Sequence, residues 1–159
     1  AYLKLNPNGK VPTLVDGDVV IWESNTILRY LASKHNKTAL YPADLAKRTE
    51  VERWMDWLLA SLNYHYVQVF KDSKKPENER AETFAADDKE LATQLAVLEG
   101  AMAGKAWVAG SDFTLADIAL GPIVHRCLDF PVTLPALPHL KTWRAKLTER
   151  PAFKKAAGL

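Results

Sequence analysis

The chain has 159 residues, 48% of them hydrophobic, and a net charge of +2 from 21 basic and 19 acidic side chains interspersed along its length. That much apolar material suits one ordinary domain, or one domain with part of another, and excludes extended disorder. So small and scattered a charge gives no footprint for nucleic acid or an anionic membrane surface, no apolar run approaches the roughly 20 residues of a membrane span, and no signal-like stretch opens the chain.

Ala1 to Leu5 reads as the last turn of a helix, and there is no initiator Met. The chain is therefore expected to be a fragment, or to have lost something upstream. Val11 to Val15 and Val19 to Trp22 are short β-branched runs separated by Asp16-Gly17-Asp18, strong turn chemistry, which predicts a β-hairpin. From Ser24 the period becomes helical, with Ile27, Leu28, Leu31 and Ala32 on one face, and the segment ends near His35-Asn36. Two strands alone are marginal in water, so the hairpin needs more strands than this sequence supplies.

Residues 36–44 are polar and Pro-containing, and read as a linker after a first unit over 1–35. The second unit, 45–159, is expected to be all helical. Val51, Trp54, Met55, Leu58, Leu59 and Leu62 form one apolar stripe, predicting a helix from about Leu45 to Phe70. Trp57, Tyr64 and Tyr66 are placed off that stripe, where they line a cleft or pack on the neighbouring unit. Phe84, Leu91, Leu95, Leu98 and Met102 mark a second long helix, expected to lie antiparallel to the first. A third begins at Thr114 as N-cap, with Asp117 reaching back and Phe113 stapled onto Ile118. Its residues 115–124 are nearly all apolar, so it is expected to be central, with a kink at Pro122. Leu137, Leu140, Trp143, Arg144 and Leu147 mark a fourth, begun after Pro135 and Pro138, and a short terminal helix follows Arg150-Pro151. Cys127 has no partner for an internal disulfide, which fits a reducing cytoplasmic setting, and it reads as core. His35, His65, His125 and His139 have no metal-ligand spacing, so no metal is expected.

One pair of residues suggests chemistry by its position alone. Ser24 begins a helix, where free N–H groups and the helix dipole favour a carboxylate, and Glu23 beside it can accept from an ammonium. The two suit a small zwitterion; the alternative is an ordinary N-cap next to a solvated charge. Val11-Pro12, by base rates, is a trans proline at a strand start.

NPNGKVPTL, DGD, WESNTILRYL, the long helix with Trp54 and Trp57, FTLADIAL and PHLKTWRAKLTERPAFKKA occur in one order across nearly the whole chain. In that order they resemble the cytosolic glutathione transferases, most closely the bacterial theta-like or beta-like branch. The resemblance implies a mostly α protein, a partial thioredoxin-like domain followed by the family's all-α bundle, usually in a homodimer. It implies that Pro12 is cis, so that Val11 offers its backbone N–H and C=O to the cysteinyl part of glutathione. Glu23 and Ser24 would take the γ-glutamyl group. Lys10 matches a position that often salt-links the glycine carboxylate, or is a surface lysine, and Asn25 is a weaker candidate. Thr114 and Asp117 match a structural capping box. The family's catalytic Ser, Tyr or Cys lies ahead of the region matching Ala1, so no residue here is assigned that role, and this chain alone is expected to be inactive. The implied activity is conjugation of glutathione to hydrophobic electrophiles. The alternatives are another glutathione-dependent enzyme (dehalogenase, isomerase, ether-cleaving enzyme) or a non-catalytic scaffold for protein association.

Overall fold

A computed structural model describes all 159 residues. Tyr2–Lys4 form a single 3-10 turn. The hairpin follows, β1 (Thr13–Asp16) and β2 (Val19–Trp22), antiparallel with Thr13 opposite Trp22 and Asp16 opposite Val19. Gly17, at the first position of the two-residue turn, has φ +60, a conformation glycine takes at no steric cost. These two strands are the whole sheet, and Val15, Val19 and Val20 stay 40–53% exposed on it. Helix α1 (Ser24–Lys34) is tied back to the hairpin through Asp16, whose carboxylate accepts from Tyr30 Oη at 2.8 Å and pairs with Lys34 Nζ.

Asn36, with φ +50, ends α1 in a left-handed turn. The segment after it is bound to the helical unit: Leu40 C=O accepts the Leu115 N–H at 2.9 Å, and Pro42 C=O accepts Arg48 Nε at 2.7 Å. Asp44 caps α2 (Leu45–Trp57) by accepting the Lys47 N–H. The single helix expected over 45–70 is one rod in three parts: α2, a widened π turn at Leu58–Leu62, and α3 (Asn63–Asp72). Two residues differ from the sequence expectation. Leu59 is 44% exposed, because it lies about 100° round the helix from the buried Leu58 and reaches the edge of the stripe. Tyr66 is 6% exposed and belongs to the stripe, one helical turn on from Leu62 and followed by Val69.

Helix α4 (Phe84–Ala101) packs along α3, joined by His65 Nδ1 to Asp87 Oδ1 at 2.9 Å. Helix α5 (Leu115–Cys127) is the central element: Ala116, Leu120 and Val124 are fully buried, and the helix runs unbroken through Pro122. Phe113 sets its edge on Trp107 at 5.0 Å and lies 3.6 Å beneath the Arg150 guanidinium. At Gly121 a Cβ would come 3.1 Å from Phe153 and 3.2 Å from Leu147, so glycine lets those side chains of α7 (Pro151–Ala157) and α6 (Pro138–Glu149) close in where any larger residue would push them back by a few tenths of an ångström.

Asp117, 0% exposed, is the junction of these parts. One oxygen accepts the Val108 N–H at 2.9 Å and Trp143 Nε1–H at 2.8 Å; the other accepts the Thr114 N–H at 2.9 Å, within a capping box. Burial pushes its carboxyl upward and these hydrogen bonds oppose that shift. The start of α6 is capped from a distance: Glu99 of α4 accepts the N–H of His139 and of Leu140, both at 2.9 Å, and pairs with the His139 ring. Desolvation pushes the Glu99 carboxyl up, but these donors outweigh it and hold it below the ordinary glutamate value.

Two outcomes follow. Asp117→Ala leaves buried donors on Val108, Thr114 and Trp143 unpaired, at about 1–3 kcal/mol each, so thermal or urea unfolding should show a loss of about 3 kcal/mol or more. Glu99 has a folded pKa below its unfolded one, so its contribution is present above the unfolded value, about 4.3, and is lost as pH falls. Glu99→Gln should therefore be less stable than wild type at neutral pH, with the gap closing below about pH 4 in urea titrations at stepped pH.

Candidate functional site

Pro12, just ahead of β1, meets the start of α1 at an apolar cavity whose other walls are the π turn with the first residue of α3, and α5. The cavity is about 430 Å³; Pro12 and Ser24 stand on its wall, with Ile27, Leu59, Ile118 and Ile123 among the apolar side chains facing them. Val11-Pro12 is a cis peptide. Val11 is 84% exposed, and neither its N–H nor its C=O has a hydrogen-bond partner in the chain.

At the start of α1 the N-cap is Glu23 rather than Ser24, and Glu23 has φ 71, ψ 116. A glutamate there is strained by about 1–3 kcal/mol, and such strain persists only where the surroundings enforce it. No side chain caps the first turn, so the N–H groups of Ser24 and its neighbours point outward without a partner. Asn25, 3% exposed, instead looks inward: its Nδ2 donates to the Met55 C=O at 2.8 Å, just ahead of the π turn. Arg29 pairs with Asp56 at 2.6 Å, adding a second tie between α1 and α2. Asn25 is thus a structural link between α1 and α2, and it also stands on the cavity wall. The Lys10 side chain and the Glu23 carboxylate are exposed and have no ion-pair partner in the chain.

The aromatic residues stand elsewhere. Trp57 is half-buried with its ring edge-on to Trp54 at 5.2 Å, and Tyr64 is 60% exposed beside His65. Tyr66 is in the core, in a triangle of rings with Phe70 and Phe130 at 5.9 Å from each, its hydroxyl accepting from Arg126 at 3.1 Å. The cavity wall is aliphatic instead. The signal for it lay in α5, apolar on every side: a helix with more apolar surface than one core can cover leaves a face for something else. Cys127 is fully buried and its thiol is pushed up to about 12 by desolvation, so it is no nucleophile. A larger cavity of about 800 Å³ lies apart from these residues, between the linker and the loop at 109–114, walled in part by Asp44, Lys47, Glu50 and Asp112.

This arrangement offers one free main-chain donor and one acceptor at Val11, uncapped amides at the start of α1, an unpaired carboxylate at Glu23, an unpaired cation at Lys10, and an apolar hollow beside them. Comparison with known proteins gives the family of the chain. Residues 1–33 match the glutathione S-transferase N-terminal domain, and residues 62–151 match the glutathione S-transferase C-terminal domain. Glutathione S-transferase GstB of Escherichia coli is 37% identical over 158 residues, covering 97% of this chain and 76% of that protein. Glutathione S-transferase 3 of Zea mays is 38% identical over 165 residues, covering 97% of this chain and 73% of its own. Among solved structures, the theta class glutathione S-transferase of Xanthomonas axonopodis pv. citri with glutathione bound superposes with a TM-score of 0.91 at 39% identity, covering 99% of this chain and 77% of that one. The chain thus spans about three quarters of the length of these relatives. By both of its matching domains, and by relatives aligned along nearly its whole length, this chain belongs to the glutathione S-transferase family.

Proposed function

We propose that this protein binds glutathione along the stretch from Lys10 to Ser24 and presents its sulfur to hydrophobic electrophiles in the adjoining cavity, as a glutathione transferase. The observation that carries this reading is the strained Glu23 at an uncapped helix start, beside a Val11 backbone with no partner. The γ-glutamyl α-carboxylate takes the amides and hydroxyl at Ser24, where the helix dipole favours an anion, and the ammonium takes the Glu23 carboxylate. Val11 pairs through its N–H and C=O with the cysteinyl unit as a strand edge pairs with an added strand. Lys10 answers the glycine carboxylate. The co-substrate rests on the aliphatic wall formed by Leu59, Ile118 and Ile123.

A free thiol has a pKa of about 8.5, so catalysis near neutrality needs a donor that favours the thiolate. No group within residues 1–159 is assigned that task. The division of labour follows: residues 1–35 hold the ligand, 36–44 connect, and 45–159 supply the hydrophobic side. The protein works as a homodimer. A scaffold with no ligand has no use for strain at Glu23, and that favours the enzyme reading over the non-catalytic one.

Glu23→Gly should relieve the backbone strain, offset by about 0.4–1 kcal/mol of unfolded-chain entropy, leaving the melting temperature unchanged or slightly raised. Glutathione affinity by calorimetry should fall about tenfold or more with the lost charged hydrogen bond. A parallel loss of stability would argue that Glu23 is structural. The full gene product should be retained on immobilised glutathione; flow-through would favour the scaffold reading. A preparation whose mass matches the 159-residue chain should show negligible conjugation of a chlorodinitrobenzene-type substrate, and measurable turnover would mean that the thiol-activating group lies within these residues.

A further inference from the structure

The two main-chain groups of Val11 can meet a ligand only if the peptide on either side of them is held still. Val11 itself provides nothing for this, being 84% exposed and without backbone partners. The holding comes from residues 1–10. Tyr2 Oη donates to the Lys10 C=O at 2.6 Å, and Asn6 Nδ2 donates to the same oxygen at 2.7 Å. With its one proton given to Lys10, the Tyr2 oxygen accepts from Thr13 Oγ1 at 2.7 Å. One phenol therefore grips the chain on both flanks of Val11-Pro12. Asn6 is fixed in turn: it is 3% exposed, its Oδ1 accepts the Asn8 N–H at 3.0 Å, and its N–H donates to Tyr2 C=O at 3.1 Å.

The consequence for Val11 follows from peptide geometry. The Lys10–Val11 bond is trans, and in a planar trans peptide the C=O and the next N–H point in opposite directions. Two donors that pull the Lys10 carbonyl inward thus turn the Val11 N–H outward. We propose that Tyr2 and Asn6 are positioning residues which, by clamping the Lys10 carbonyl and Thr13, aim the Val11 N–H at the cysteinyl carbonyl of glutathione. The assignment rests on the glutathione reading above. Neither residue touches the ligand; both act through the backbone between them.

The test is calorimetric titration of the full gene product, wild type, Tyr2→Phe and Asn6→Ser, with glutathione and with γ-glutamylcysteamine, which lacks the cysteinyl carbonyl. Tyr2→Phe removes one hydroxyl and keeps the ring, so the fold should survive it. Both variants should bind glutathione about five- to tenfold more weakly, as befits a misdirected hydrogen bond, and bind γ-glutamylcysteamine as wild type does. Unchanged affinity for glutathione would overturn the proposal. So would equal weakening towards both ligands, the mark of a site that has merely collapsed. A wild type that binds neither ligand would remove the glutathione reading itself, and this assignment with it.

Discussion

The Asp117 side chain is taken wholly out of water with no cation beside it, and it is tolerable there only because donors from three directions converge on its two oxygens. They come from its own helix start, from the loop at Val108 and from Trp143 on α6, so the carboxylate fixes how those three segments meet. A buried acceptor with its donors in place is nearly neutral in energy, while the same donors without it are costly, and that asymmetry makes the junction specific. Once α5 is set, its apolar surface orders α2 on one side and α6 with α7 on the other. Glu99 repeats the device at the start of α6, joining two helix ends separated by forty residues of chain.

The hairpin and α1 depend on that frame at second hand. Two strands cannot stabilise themselves, and here they are held by α1 through Asp16, while α1 is held by α2 through Asn25 and Arg29. The site residues thus lie at the end of a chain of attachments leading back to the bundle. The same chain places the start of α1 against the apolar cavity, because Asn25, whose amide reaches Met55, immediately follows Ser24, and both line it.

Most elements could be read directly from the residues. The hairpin was legible in Asp16-Gly17-Asp18, the start of α5 in Thr114 and Asp117, the breaks in Pro138 and Pro151, because each is a local signal with a local cause. What escaped was set by contacts distant in sequence. Nothing near Glu99 announces that it caps a helix forty residues away, and nothing near Asn25 points to Met55. Tyr66 lies on the stripe rather than off it, as counting four from Leu62 shows. The positive φ of Glu23 is a backbone property that a glutamate in the sequence argues against, so its oddity is visible only in three dimensions.

Gly121 adds one consequence for the cavity. Its missing side chain lets α5 lie against Leu147 and Phe153, while Ile118 and Ile123 on another face of the same helix stand on the cavity wall. Helix α5 is therefore a partition whose position is gauged from behind: the thickness of the packing on its closed side sets the width of the hollow on its open side. A fold built on this plan has two ways to resize that hollow. It can change the residues that line it, or it can leave the lining untouched and move the wall by altering the thickness of the layer behind it.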